Sequence, residues 1–227
     1  MSILQPDAQV KLEGEKVYPR AKSSYEEGIN RQLKSSVFYR NKLTFDAESL
    51  RKKIEAAFPE VNETNIAISL FRHRPVVEIR LAKPTTKLIT EDRVYILDEE
   101  GRALFEQKDA SKQLDTESLL TIRDSSGQSI ELGKPALAES QIGYIREIIG
   151  QMKAYKKLKP RFFLLSNGGT GLNVRFDGLS YYARFSFYAD PRQSSGAFIA
   201  LYEQFNREGT APSEYVDLRI PEKAFVK

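Results

Sequence analysis

A change of pattern at Lys83-Pro84-Thr85-Thr86 constrains this chain more than any other feature. Before it, apolar residues recur at helical spacing; after it, short β-prone runs alternate with turn chemistry. In the first part Ser24-x-x-Glu27 is a capping-box pattern, and Tyr25, Ile29 and Leu33 follow on one helix face. A second helix is expected after Asp46 as N-cap, with Phe45 and Leu50 at the two positions of a hydrophobic staple. Leu50, Ile54, Ala57 and Phe58 supply its buried face, and Pro59 ends it. A short strand over residues 10–17 precedes the helices. Two more, over 66–70 and 76–81, follow them, joined by the turn Phe71-Arg72-His73-Arg74-Pro75. Strand, helix, helix, strand, strand makes a small α+β unit over residues 1–84.

Residues 85–227 are expected to form a second, larger domain: a mostly antiparallel sheet with flanking helices, ending in an edge strand. Strands at 94–97 and 102–105 flank the turn Asp98-Glu99-Glu100-Gly101, and strands at 119–123 and 129–132 flank Asp124-Ser125-Ser126-Gly127. An amphipathic helix over 137–155 would bury Ile142, Ile145, Ile149 and Met152. Runs at 162–165, 172–176 and 181–188 read as a meander turning at Asn167-Gly168 and Asp177-Gly178. A helix capped by Ser194 or Ser195 then places Phe198, Leu201, Tyr202 and Phe205 on one stripe.

Several chemistries are excluded by residue content. The chain has no Cys, which removes disulfides and thiolate ligands; its one His, His73, leaves no second imidazole ligand and sits in an Arg-flanked turn beside Pro75, where it reads as a solvated turn residue rather than the base of a triad. No catalytic or metal-binding residue and no cofactor is expected. Basic residues exceed acidic by 35 to 31, a net charge of +4, too little to argue for nucleic acid. Gly168-Gly169-Thr170-Gly171 precedes a strand pattern, whereas a phosphate cradle needs a helix N-terminus after it. Asp98-Glu99-Glu100-Gly101 lacks the alternating carboxylates of a calcium loop and reads as a turn. No stretch approaches the roughly 20 apolar residues of a membrane span, and the N-terminus has no signal-peptide pattern.

Three segments could contact partners. Lys153, Lys156, Lys157, Lys159 and Arg161 cluster at a helix end, where cations complement the dipole; the same cluster suits an anionic surface such as lipid headgroups or a wall polymer. Tyr181, Tyr182, Phe185, Phe187 and Tyr188 read as strand aromatics shared between a core and a partner strand. Tyr215-Val216-Asp217-Leu218-Arg219 alternates apolar and charged residues as a closing strand. At a sheet edge such a strand offers free N–H and C=O groups to another chain.

In order along the chain these pieces resemble the extracytoplasmic region of the FtsQ/DivIB bacterial cell-division proteins. Residues 43–81, with Phe58-Pro59-Glu60-Val61 between helix and strand, look like that family's POTRA domain. The run from Val94 through Asp98 and Gly101 to Ala103 is similar to the element that opens its β domain. Leu132-Gly133-Lys134-Pro135-Ala136-Leu137, Gly171-Leu172-Asn173-Val174 and Ala189-Asp190-Pro191-Arg192 also fit, and Tyr215-Val216-Asp217-Leu218-Arg219 is the most specific match. The resemblance implies a non-enzymatic divisome scaffold at the septum, held by one membrane helix upstream of an ectodomain. It implies an FtsB/DivIC-type partner, itself coupled to FtsL, and septal peptidoglycan synthesis proteins nearby. By this likeness the partner would pair with Tyr215, Val216, Asp217, Leu218, Arg219 and Ile220, and with Ala224, Phe225 and Val226. Many members carry an aromatic and a glycine-containing turn after the Arg, where this chain has Ile220-Pro221-Glu222-Lys223. Pro221 donates no hydrogen bond, so the strand must break, bulge or turn outward there.

Overall fold

Two β-sheets, built by successive parts of the chain, meet along an apolar seam. The computed structural model describes residues 7–14, 18–68, 73–166 and 168–227. The first part runs strand β1 (Gln9–Glu13), helix α1 (Lys22–Lys34), a 3-10 turn (Val37–Arg40), helix α2 (Ala47–Ala57), then strands β2 (Val61–Ala67) and β3 (Val76–Leu81). Strand β3 is central, parallel to β1 and antiparallel to β2. Tyr25, Ile29 and Leu33 of α1 and Leu50 and Ile54 of α2 are buried in one cluster with Val77 and Ile79.

Asp46 caps α2 as expected, its carboxylate accepting the Ser49 N–H at 2.9 Å. Helix α1 differs: it starts at Lys22 with Ala21 at the N-cap, so Ser24 lies inside the first turn. A side-chain cap contributes about 1 kcal/mol. Docking outweighs it here, because Tyr25 is fully buried and its hydroxyl donates to Glu60 Oε1 at 2.8 Å. Ala57, expected on the buried face of α2, is exposed, and Phe58 turns inward beyond the helix end. Strand β2 begins five residues earlier than expected and ends at Ala67; residues 69–72, in the expected strand and turn, lie outside the described residues, as do 15–17.

The second part contributes β4 (Thr86–Ile89), β5 (Val94–Leu97), β6 (Ala103–Glu106), β7 (Leu120–Arg123), α3 (Glu139–Tyr155), β8 (Pro160–Leu165), β9 (Gly171–Phe176), β10 (Tyr182–Ser186), α4 (Pro191–Glu208), β11 (Tyr215–Asp217) and β12 (Phe225–Val226). Their order in the sheet is β12-β11-β10-β9-β8-β7-β4-β5-β6. The sheet is mixed, with β4–β7, β7–β8 and β10–β11 parallel and the other pairs antiparallel. Helices α3 and α4 are the crossovers that carry the chain from β7 to β8 and from β10 to β11, and a parallel neighbour needs such a crossover.

The expected strand at 129–132 is absent; there the chain runs toward Gly133 and Lys134, which exchange backbone hydrogen bonds with Ala103 at 2.7 and 3.0 Å. Strand β4 was hidden in the sequence by Lys87 and by the Lys83-Pro84 break just before it, yet Thr86, Lys87 and Leu88 are all buried. The N-cap of α4 is Asp190, which accepts the Gln193 N–H at 2.8 Å with Pro191 at the first helical position. Ser194 and Ser195 are buried within the helix instead.

One face of the large sheet lies under α3 and α4. Ile142, Ile145, Ile148 and Met152 join Phe198 over Leu172, Val174, Phe185 and Val216. At the β5–β6 end, Ile96, Leu104 and Phe105 point the other way and join the core of the first part, where Tyr18 meets Phe105 edge-on at 5.7 Å. Asp98, almost fully buried, accepts the backbone N–H groups of Glu100 and Arg102 at 3.0 and 2.9 Å and the Arg102 Nε at 2.9 Å. Arg102 extends across the seam to the Val61 carbonyl and Asn62 Oδ1, each at 3.2 Å. Gly101, at φ +87°, completes this turn where a Cβ would lie 2.4 Å from the Leu137 carbonyl oxygen.

Gly28 offers a test of this packing. Its missing Cβ leaves room for the Phe58 ring, whose Cζ would otherwise sit 2.4 Å away. Phe58 is held by Tyr25 at 5.1 Å and by the Arg20 guanidinium at 5.6 Å. Gly28→Ala should therefore destabilise the protein by about 1–3 kcal/mol in urea unfolding, although Ala is the better helix former by about 1 kcal/mol.

Candidate docking edge of the large sheet

Strand β11 is not at the edge. It lies between β10, to which it is parallel through Tyr182↔Tyr215, Ala183↔Val216 and Arg184↔Asp217, and β12, which pairs through Val216↔Val226 and Asp217↔Phe225. The expectation that 215–219 forms the open edge is corrected by the turn that follows. The strand ends at Asp217, and Ile220-Pro221-Glu222-Lys223 folds back through Lys223 N–H to the Ile220 carbonyl at 3.2 Å. Pro221 at the second position and Glu222 at φ +60° match a type II turn, which ordinarily carries glycine where Glu222 stands. Pro221 thus sits in the turn after the strand, and the return segment covers the strand's open side.

The edge belongs to β12. Lys227 N–H donates to the Tyr215 carbonyl at 3.1 Å, and Tyr215 N–H donates back to Lys227 at 3.3 Å. Ladder bonds alternate along an antiparallel strand, so the N–H and C=O of Val226 face away from β11. The side chains of Phe225 and Val226 are 52 % and 50 % exposed, and Ala224 and Ile220 are exposed beside them. Val216 and Leu218 are buried beneath and support the edge from the core. Between α4 and the turn lies a hollow of about 480 Å³ lined by residues including Tyr188, Leu201, Leu218, Ile220 and Pro221.

Asp217 ties this corner together. Arg219 donates Nε to Asp217 Oδ1 at 2.9 Å and Nη2 to Oδ2 at 2.6 Å, and its backbone N–H adds a third bond at 3.1 Å. The Arg184 guanidinium stands 3.8 Å from the same carboxylate and 3.7 Å from the centroid of the Tyr215 ring. Burial opposes the charge on Asp217, but the Arg219 hydrogen bonds and the two guanidinium charges outweigh it and hold the carboxyl below the usual carboxylate range. Arg184 was not singled out in the sequence. Its signal was the alternation Tyr182-Ala183-Arg184-Phe185, which puts Ala183 and Phe185 in the core and Tyr182 and Arg184 on the opposite face.

That opposite face carries Phe162, Arg175, Tyr182 and Tyr215 in register across β8 to β11. The strand aromatics expected as a group are therefore divided. Tyr181 and Phe185 are core, Tyr182 lies on this face, and Tyr188 is exposed past the strand end. Of the basic run, Lys157 pairs with Glu203 at 2.9 Å and Arg161 with Asp177 at 3.8 Å. Lys153, Lys156 and Lys159 make no ion pair among the described residues, and they rim a hollow with Ile149, Met152 and Phe163. Lys156 terminates α3 in the left-handed conformation, at φ +68°. His73 is exposed, and Gly171 opens β9 directly, so the glycine run leads into a strand.

No protein-family model matches the chain, and no curated protein matches it. What the edge can do follows from its geometry alone. Its outward backbone groups at Val226 and its exposed apolar side chains are complementary to one more strand.

The Asp217 cluster makes stability depend on acid. A carboxyl held low in the folded state stabilises fully above its unfolded value, about 3.9, and that contribution is lost as pH falls through the lower folded value. Asp217→Asn should lower the urea midpoint at pH 7, and the gap from the parent protein should narrow when both are measured near pH 3. A gap that stays constant across pH would show that the charge contributes nothing.

Proposed function

We propose that this chain is a non-enzymatic scaffold of the FtsQ/DivIB kind. On this reading it sits on the extracytoplasmic side of the cell membrane at the division septum. It captures an FtsB/DivIC-type partner, coupled to FtsL, by adding a strand of that partner to β12. The observation that carries the reading is the placement of β12 at the sheet edge against β11, where Tyr215 to Asp217 hold it in register. Main-chain bonds to Val226 would supply affinity, and Ile220, Ala224 and Phe225 would select side chains beside the hollow next to α4. Support also comes from the element order of the first part, β1-α1-α2-β2-β3, which is the order expected of a POTRA domain.

A second reading assigns wall-polymer or anionic-membrane contact to Lys153, Lys156, Lys157, Lys159 and Arg161. The three lysines without ion pairs around an apolar-floored hollow favour it. It predicts salt-sensitive sedimentation with wall material.

Calorimetric titration with the ectodomain of the same organism's FtsB/DivIC-like protein tests the first reading. Val226→Pro removes the outward N–H while leaving the residues that bond to β11 in place. Affinity should fall about ten- to a hundredfold, the loss expected for one or two main-chain hydrogen bonds. Binding unchanged by Val226→Pro would move the site away from β12, and no binding by the parent protein would overturn the scaffold reading.

A further inference from the structure

Charge is unevenly placed in this chain. From Arg31 to Lys53 there are seven Lys and Arg residues against two acidic ones, Asp46 and Glu48, a net of +5. The whole chain carries +4, so everything outside that segment carries −1. The segment is one structural piece: the end of α1, the 3-10 turn, the loop after it and the start of α2.

At its tip Val37, Phe38 and Leu43 are 68 %, 62 % and 92 % exposed. Loose packing does not explain this. Tyr39 and Phe45 of the same loop turn inward, with ring centroids 5.5 Å apart, and the Tyr39 hydroxyl bonds to Ser49 Oγ at 3.1 Å. Lys53 Nζ lies 5.2 Å from the Tyr39 ring centroid. Thr44 Oγ1 donates to the Phe38 carbonyl at 3.1 Å, and Leu43 N–H donates to Asn41 Oδ1 at 3.0 Å. The loop is closed on itself, and its apolar side chains are held outward.

We propose that this tip is an interfacial contact with an anionic lipid bilayer. Cations around a projecting apolar turn are attracted to a negative headgroup layer, while the apolar side chains enter the acyl boundary. Long Lys and Arg side chains keep their charges at headgroup level as the turn sinks. A protein partner would need a preformed pocket to receive side chains that project singly; a fluid bilayer closes around them. Charge complementarity and apolar projection thus agree on lipid. The inference is independent of the β12 reading, and either can fail without the other.

The chain contains no Trp, so Phe38→Trp gives a single indole at the tip. The full chain carrying it is mixed with phosphatidylcholine vesicles, with or without about one third phosphatidylglycerol. Flotation and a blue-shifted emission are expected with the anionic vesicles alone. Binding should weaken about tenfold in 0.5 M salt and again about tenfold on adding Leu43→Ser, with the circular dichroism of each variant unchanged. No blue shift would overturn the proposal, as would flotation unaffected by Leu43→Ser. Loss of binding on Lys153→Gln/Lys156→Gln with the tip intact would transfer the contact to the other basic cluster. Equal binding to polyglutamate without a blue shift would make the occupant an acidic protein surface.

Discussion

The buried carboxylate of Asp98 fixes the relation between the two halves of the molecule. By accepting two backbone N–H groups and the Arg102 side chain, it sets the β5–β6 turn, and it aims Arg102 at the backbone of β2. The hairpin so fixed delivers Ile96, Leu104 and Phe105 to the first core while Tyr95, Leu97 and Ala103 serve the second. Strict alternation would set Phe105 with Ala103 and oppose it to Leu104; the register shift beside Ile96 and Leu97 lets Leu104 and Phe105 both serve the first core. The polar clamp decides which sheet meets which face, and an ion pair with its hydrogen-bonding capacity so fully used is affordable in a nearly dry site.

Much of the architecture was legible because burial and spacing agree. The helical faces at Tyr25-Ile29-Leu33 and Ile142-Ile145-Met152, the strand at Val76–Leu81 and the Asp177-Gly178 turn are places where local preference and tertiary contact want the same thing. Where they disagree, the sequence misleads. Ser24 has the chemistry of a cap, yet the buried Tyr25 pulls it into the helix; Lys87 is disfavoured in a strand interior and follows the Lys83-Pro84 break, yet it pairs on both sides in β4. Parallel pairing was the other gap. A two-residue period says nothing of direction; the crossovers α3 and α4 set it for β7–β8 and β10–β11.

The candidate edge was legible in part. Tyr215 to Arg219 showed as a closing strand and was expected to be the open edge itself, while Pro221 showed only that it could not run on past that point. That the chain then doubles back and lays β12 outside β11 depends on a two-residue strand, too short for periodicity to register. The exposed turn at Val37, Phe38 and Leu43 was hidden for a different reason. No spacing rule separates Val37, Phe38 and Leu43 from the other apolar residues of an inter-helix loop, and it is Tyr39 and Phe45 that fill the inward positions.

The order of the last strands makes each depend on the one inside it. Strand β12 rests on β11, β11 rests on β10, and the α4 crossover is the connection that places β11 there. The rim of the sheet is therefore no more ordered than the layers inside it: opening the β10–β11 pairing or lifting α4 would take β12 with it. A formed rim thus reports on the integrity of the fold beneath it.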